Sequence, residues 1–183
     1  MYFVRPFLRA WPLPLAAVLL AACTTPAPVE APKPRAALAP AAMVAAIRAA
    51  GEREQSVIAV QPLADPGINA WQTAAEADVR AGHYDAAAAK LDQALKRSPE
   101  SPDLLQDRAE VAVYQHDYAQ AQKLAQQSWT LGPKLGPLCA RNWETMAQLR
   151  KQADDEAGAA TAQLATTSSG ATSTSSSFGG TST

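Results

Sequence analysis

Three groups of side chains in the 183-residue chain could do chemistry. Two thiols, Cys23 and Cys139, are potential nucleophiles, and two imidazoles, His83 and His116, are potential bases. Glutamates recur at Glu76, Glu110 and Glu144, each 34 residues after the last. Catalysis needs such groups to converge, as a nucleophile beside a base or an acid/base pair in a closed pocket. No Gly-rich phosphate loop, metal-ligand spacing or nucleophile motif accompanies them. No catalytic residue, metal or cofactor is therefore expected, and the chain does not read as an enzyme. The glutamates suit a binding surface better. Charges ~10 Å apart repel by only about 0.4 kcal/mol in a water-like dielectric, so the row need not be functional, and a solvated helix face is the simpler reading.

Composition narrows the classes further. There are 16 Lys+Arg against 17 Asp+Glu, for a net charge of −1, which excludes a broadly basic nucleic-acid footprint. Residues 1–22 open with Arg5 and Arg9 and no acid. They continue with an uncharged stretch, Ala10 to Ala22, that is too short to span a bilayer and is interrupted by Pro12 and Pro14. This is the pattern of a secretory signal. It closes on Leu20-Ala21-Ala22-Cys23, which resembles the lipobox of bacterial lipoproteins. The resemblance implies that Cys23 takes the lipid after cleavage before it. It also implies that Thr24, which is not the aspartate associated with inner-membrane retention, directs the chain to the outer membrane, on its periplasmic face. A multi-chain lipid anchor holds through roughly 0.8 kcal/mol per buried CH₂.

Residues 23–64 read as the lipidated cysteine followed by a Pro/Ala-rich spacer. Its first part, TTPAPVEAPKPRAALAP over 24–40, favours extended polyproline II and would reach roughly 50 Å at ~3.1 Å per residue. Ala41 to Glu54 is alanine-rich and suits a short helix, with Met43, Val44 and Ile47 on one face and Gly51 weakening its end. Ser56 to Val60 reads as an extended segment.

The folded part, residues 65–158, repeats itself. Tyr84 matches Tyr118, Ala87 matches Ala121 and Pro99 matches Pro133, all at an offset of 34. With Trp71, Ala75, Gly82, Leu91 and Ala94 in the first copy and Leu105 and Ala109 in the second, the pattern resembles the tetratricopeptide repeat (TPR). The chain is thereby identified as a TPR lipoprotein of the Gram-negative envelope type. The resemblance implies an all-α fold, a short TPR-type solenoid of helical hairpins. Asp78 departs from the family's aromatic, Ala125 from its large residue and Ser128 from its alanine. A third copy starts at Gly136, but Trp143 stands where a small residue belongs, and Gln152 and Asp155 stand where Tyr and Ala belong. Two repeats plus a C-terminal capping helix are therefore expected, with Trp143 and Trp129 in contact. Residues 159–183, rich in Ser, Thr and Gly, are expected to be a disordered tail.

The TPR resemblance also places a partner-binding groove on the concave face, with Gln72, Glu76, Val79, Gln106, Glu110, Val113, Tyr114 and Glu144 lining it. Among the ligand-facing positions only Arg80 is basic, so a carboxylate clamp is not expected. A basic or amide-rich periplasmic protein or peptide with an apolar anchor fits better. The implied function is an adaptor or scaffold in envelope or pilus assembly, attached to the membrane by its lipid. Binding on so small a surface would be weak or would depend on self-association. The alternative is a permanent structural subunit of a large envelope complex.

Overall fold

Proline sets where the helices begin. Its missing N–H is one of the unsatisfied donors of a first turn, and its fixed φ suits the helix. In the structure, a computed structural model describing residues 36–54 and 65–168, four of seven described helices start on a proline. These are α1 (Pro40–Arg53), α2 (Pro66–Arg80), α4 (Pro102–Tyr114) and α6 (Pro137–Gln152). The other three, α3 (Tyr84–Arg97), α5 (Tyr118–Leu131) and α7 (Glu156–Ser168), each follow a tight turn. No strand occurs among the described residues, and the protein is an all-α TPR-like solenoid. The signal region, Cys23, the spacer to 35, Ser56–Val60 and the tail from 169 lie outside the described residues.

The hairpins are α2–α3, α4–α5 and α6–α7, each stacked on the next. Each turns through one left-handed residue: Gly82, His116 and Asp154, with φ of 78°, 60° and 58°. Glycine adopts this conformation freely, and Asn, Asp and His tolerate it better than other side chains. His83 and His116 are exposed turn residues, and His116 Nδ1 lies 3.0 Å from the Tyr118 hydroxyl. Asp117 caps α5 by accepting from Gln120 N at 3.0 Å, while Ser101 sits at the N-cap of α4 without a side-chain cap bond.

The third hairpin differs from the expected lone capping helix and from a tail disordered from 159. Gly82 and His116 are 34 residues apart, but His116 and Asp154 are 38 apart. Three of the four extra residues lengthen α6, which has 16 residues where α4 has 13, and the fourth lies in the connection before it, so α6 gains nearly one helical turn. One turn restores the helix face almost completely, because 3.6 residues make a turn. At an offset of 38 the repeat resumes. Ala109 corresponds to Ala147, Ala121 to Ala159, and Asp117 to Asp155, which accepts from Gly158 N at 2.9 Å. Ala147 and Ala159 are both buried, so the helices approach closely there, and Trp143 lies one turn away from the crossing. Trp143 meets Trp129 edge to face, with ring centroids 5.5 Å apart.

The family departures have local partners. Asp78 pairs with Lys90 across the first hairpin, a charged contact where the family packs an aromatic. Ser128 is fully buried and donates its hydroxyl to Pro102 O at 2.7 Å, tying α5 to the start of α4. Ala125 packs with Leu105, Ala109 and Leu124 between α4 and α5.

Candidate functional site

The first helix of each hairpin (α2, α4, α6) lines the inner face of the stack, where open solenoids bind their partners. Here α1 lies on that face, against α6 and α4. Its Met43, Val44, Ile47 and Ala50 are each at most 1% exposed. Val44 and Met43 share a cluster with Ala112, Val113 and Leu149. The helix foreseen over 41–54 is present with the expected face inward; its packing partner was not foreseen. Gly51 is part of that contact. A Cβ there would lie 2.8 Å from Arg141 Cγ and 3.2 Å from Pro137 O, so α1 can approach α6 this closely only because that position has no side chain.

A buried ionic network fixes the arrangement. Glu110 of α4, 1% exposed, accepts from Arg48 Nε of α1 at 2.9 Å on one oxygen. On the other oxygen it accepts from Arg141 Nε and Nη2 of α6 at 2.9 and 2.6 Å. Gln106 Nε2 reaches the same oxygen at 3.2 Å and also donates to Thr145 Oγ1 at 2.9 Å. Arg141 extends to Asp107 Oδ1 at 2.7 Å, and Gln72 Nε2 of α2 donates to Asp107 Oδ2 at 3.2 Å. Four helices, α1, α2, α4 and α6, thus meet around two carboxylates of α4, Glu110 and Asp107. Burial opposes the charge on Arg141, but the Glu110 and Asp107 carboxylates outweigh it and raise its pKa. Arg48 is raised in the same way: desolvation opposes its charge and Glu110 supports it.

The eight residues expected to line one open groove divide into two sets. Gln106, Glu110, Val113 and Glu144 are buried, and Val113 lies in the cluster that α1 completes. Gln72, Glu76 and Val79 line an open pocket instead, and Tyr114 is half-buried, stacked on Tyr84 at 4.5 Å between ring centroids. Burial pushes the Tyr114 hydroxyl pKa up. The glutamates do not form a row. Glu76 is exposed and its nearest cation, Arg80, is 3.9 Å away. Glu144 accepts from Gln148 Nε2 at 2.6 Å, and the extra turn in α6 places Gln148, not Glu144, at the position equivalent to Glu110. The low-dielectric site of Glu110 could not be read from α4 itself. Its arginines come from 62 residues before it and 31 after it.

The pocket has a volume of about 460 Å³ and lies between α1 and α2, with α4 and α6 behind it. Ala75, Val79, Leu91 and Val111 contribute apolar wall, and Arg48, Glu52, Glu76 and Arg80 contribute charges of both signs. Such a site can seat an apolar side chain and pair charges around it. Among the described residues, no group of three or more His, Cys, Asp or Glu could hold a metal ion. Cys139 is buried in α6, away from solvent.

A family model described as tetratricopeptide repeat matches residues 68–111, from α2 through most of α4. The chain is similar to a solved structure, the globular C-terminal domain of P. aeruginosa LpoP. It is 33% identical to that domain with a TM-score of 0.54, and the match covers 57% of this chain and 98% of that one. No curated protein matches the chain.

Proposed function

This chain belongs to the tetratricopeptide-repeat family, and from that premise we propose that it is a lipid-anchored adaptor of the bacterial envelope. It would hold its interaction module on the periplasmic face of the outer membrane. The observation that carries the adaptor reading is the open pocket beside α2, a concave surface with apolar wall and paired charges on a fold that is a protein-interaction module. Cys23 would carry the lipid, and the Pro-rich segment after it would lift the module off the headgroups. The likeness to a domain described as globular and C-terminal supports this order of parts, with the folded unit following an N-terminal leader. The partner would be an envelope or pilus assembly protein presenting an apolar anchor among charged or amide groups.

The reading as a permanent subunit, with Ala41–Val60 buried in a larger complex, loses part of its basis. The apolar face of 41–53 is already buried within this chain.

Two experiments test the proposal. With Cys23→Ser, the chain is expected to leave the membrane pellet for the soluble fraction. Mass spectrometry of the wild type should show the acylated cysteine; a bare thiol would end the anchoring reading. Separately, a photo-crosslinker at Gln72 should capture a partner in intact cells. The variant Glu76→Lys/Arg80→Glu, at two exposed positions of the pocket, should lose at least about 90% of that product with a thermal midpoint within a few degrees of wild type, because surface changes rarely shift stability by more than about 0.5 kcal/mol. An unchanged crosslink pattern in the variant would remove the pocket from the adaptor's function.

A further inference from the structure

The inner face is partly occupied by the chain itself. The helix α1 presents an apolar stripe at Met43, Val44, Ile47 and Ala50, the spacing i, i+1, i+4, i+7 by which a helix lies in a groove. Arg48 stands beside that stripe and pairs with Glu110. At its leading end, Leu38 N donates to Gln152 Oε1 at 2.8 Å. This is how a bound helical ligand is held: apolar side chains in the groove, one charge pair for register and a backbone contact at the end.

Three features favour a seated ligand over a permanent core element. First, α1 is alanine-rich but only 14 residues long, with no side-chain cap bond, no acid in its first turn and an internal glycine, so away from its contacts it is a marginal helix in water. Second, its departure leaves no carboxylate stranded. Glu110 keeps Arg141 and Gln106, and Arg48, whose side chain is already 48% exposed, passes to water. Third, the open pocket borders α1 at Arg48, Gly51 and Glu52, so an incoming segment has a place to engage before α1 moves.

We propose that α1 is a ligand held in cis. The surface of α4 and α6 beneath it is a receptor groove for an amphipathic partner helix with the same stripe of apolar residues and an adjacent arginine. The partner engages the pocket, displaces α1 and pairs its arginine with Glu110. This deepens the adaptor reading by naming the partner's chemistry. It rests on that reading for the partner but not for the release of α1, which the first test below reads alone.

Hydrogen exchange on the full chain is the first test. The amides of α1 are expected to exchange at least about 100-fold faster than those of α4, through opening of α1 alone. Equal protection in the two helices would overturn the proposal. The second test uses a fluorescent peptide of residues 36–54 added to the full chain carrying Gly51→Leu. That side chain cannot fit between α1 and α6, so it disables the cis ligand and leaves the groove intact. The peptide is expected to bind this variant at least about tenfold more tightly than wild type, and an Arg48→Glu peptide at least about tenfold more weakly than the wild-type peptide. Failure of the wild-type peptide to bind a variant that retains its helical circular dichroism would overturn the proposal. If the variant does not fold, the exchange measurement on wild type decides. A Glu76→Lys/Arg80→Glu variant that keeps its crosslink would count against the adaptor reading while leaving both of these results standing.

Discussion

Glu110→Ala is expected to destabilise the protein by about 3–5 kcal/mol, the usual consequence of removing one partner from a buried ion pair. The substitution deprives two arginines and a glutamine of their shared acceptor. Arg141, whose side chain is only 21% exposed, is left with Asp107 alone. For a domain of about 100 residues this corresponds to a fall in thermal midpoint of roughly 15 °C or more. Glu76 provides the control. It stands at the same repeat position in α2, yet it is exposed, and Glu76→Ala should move the midpoint by no more than a few degrees. Thermal unfolding followed by circular dichroism checks both, and equal shifts would refute the network. In the double variant Glu110→Ala/Arg141→Ala the loss should be smaller than the sum of the two single losses, because removing both charges leaves neither unpaired.

Ile47→Asp tests the other large effect. Ile47 lies on the inward face of α1 and is fully buried, so a carboxylate there would be desolvated. Burying an unpaired carboxylate costs more than undocking a short helix, so α1 leaves the groove and the loss stops at the docking free energy. The expected result is local. Trypsin should cut after Arg48 and Arg53 at least about tenfold faster, helical signal should fall by the share of α1's 14 residues, and α2 to α7 should still unfold cooperatively. Uniform loss of the whole fold would show instead that α1 and the hairpins form one cooperative unit. The variant that separates these outcomes from simple loss of volume is Ile47→Val, which retains the apolar contact and should cost only about 0.5–1.5 kcal/mol.

Much of the fold is legible along the chain. Tyr84 and Tyr118, Ala87 and Ala121, and Pro99 and Pro133 mark two hairpins because each is a local requirement: a helix start, a close crossing, a stop. The third hairpin is hidden by its own geometry. Four added residues, three in α6 and one in the connection before it, keep the apolar face in place but move every later landmark, so a fixed offset of 34 meets Asp155 where Ala159 serves. In three dimensions the face is what packs, and the period is incidental.

The residues alone determined an all-α repeat, its helix starts and turns, and the apolar stripe of α1, since each depends on neighbours a few positions away. Only the tertiary structure decided what that stripe covers and which glutamate is a surface charge. Glu76 and Glu110 are alike in sequence position and differ in environment, because Arg48 and Arg141 reach the second and not the first. Charge pairing between helices distant along the chain depends on where the solenoid places them, and no local pattern encodes that distance.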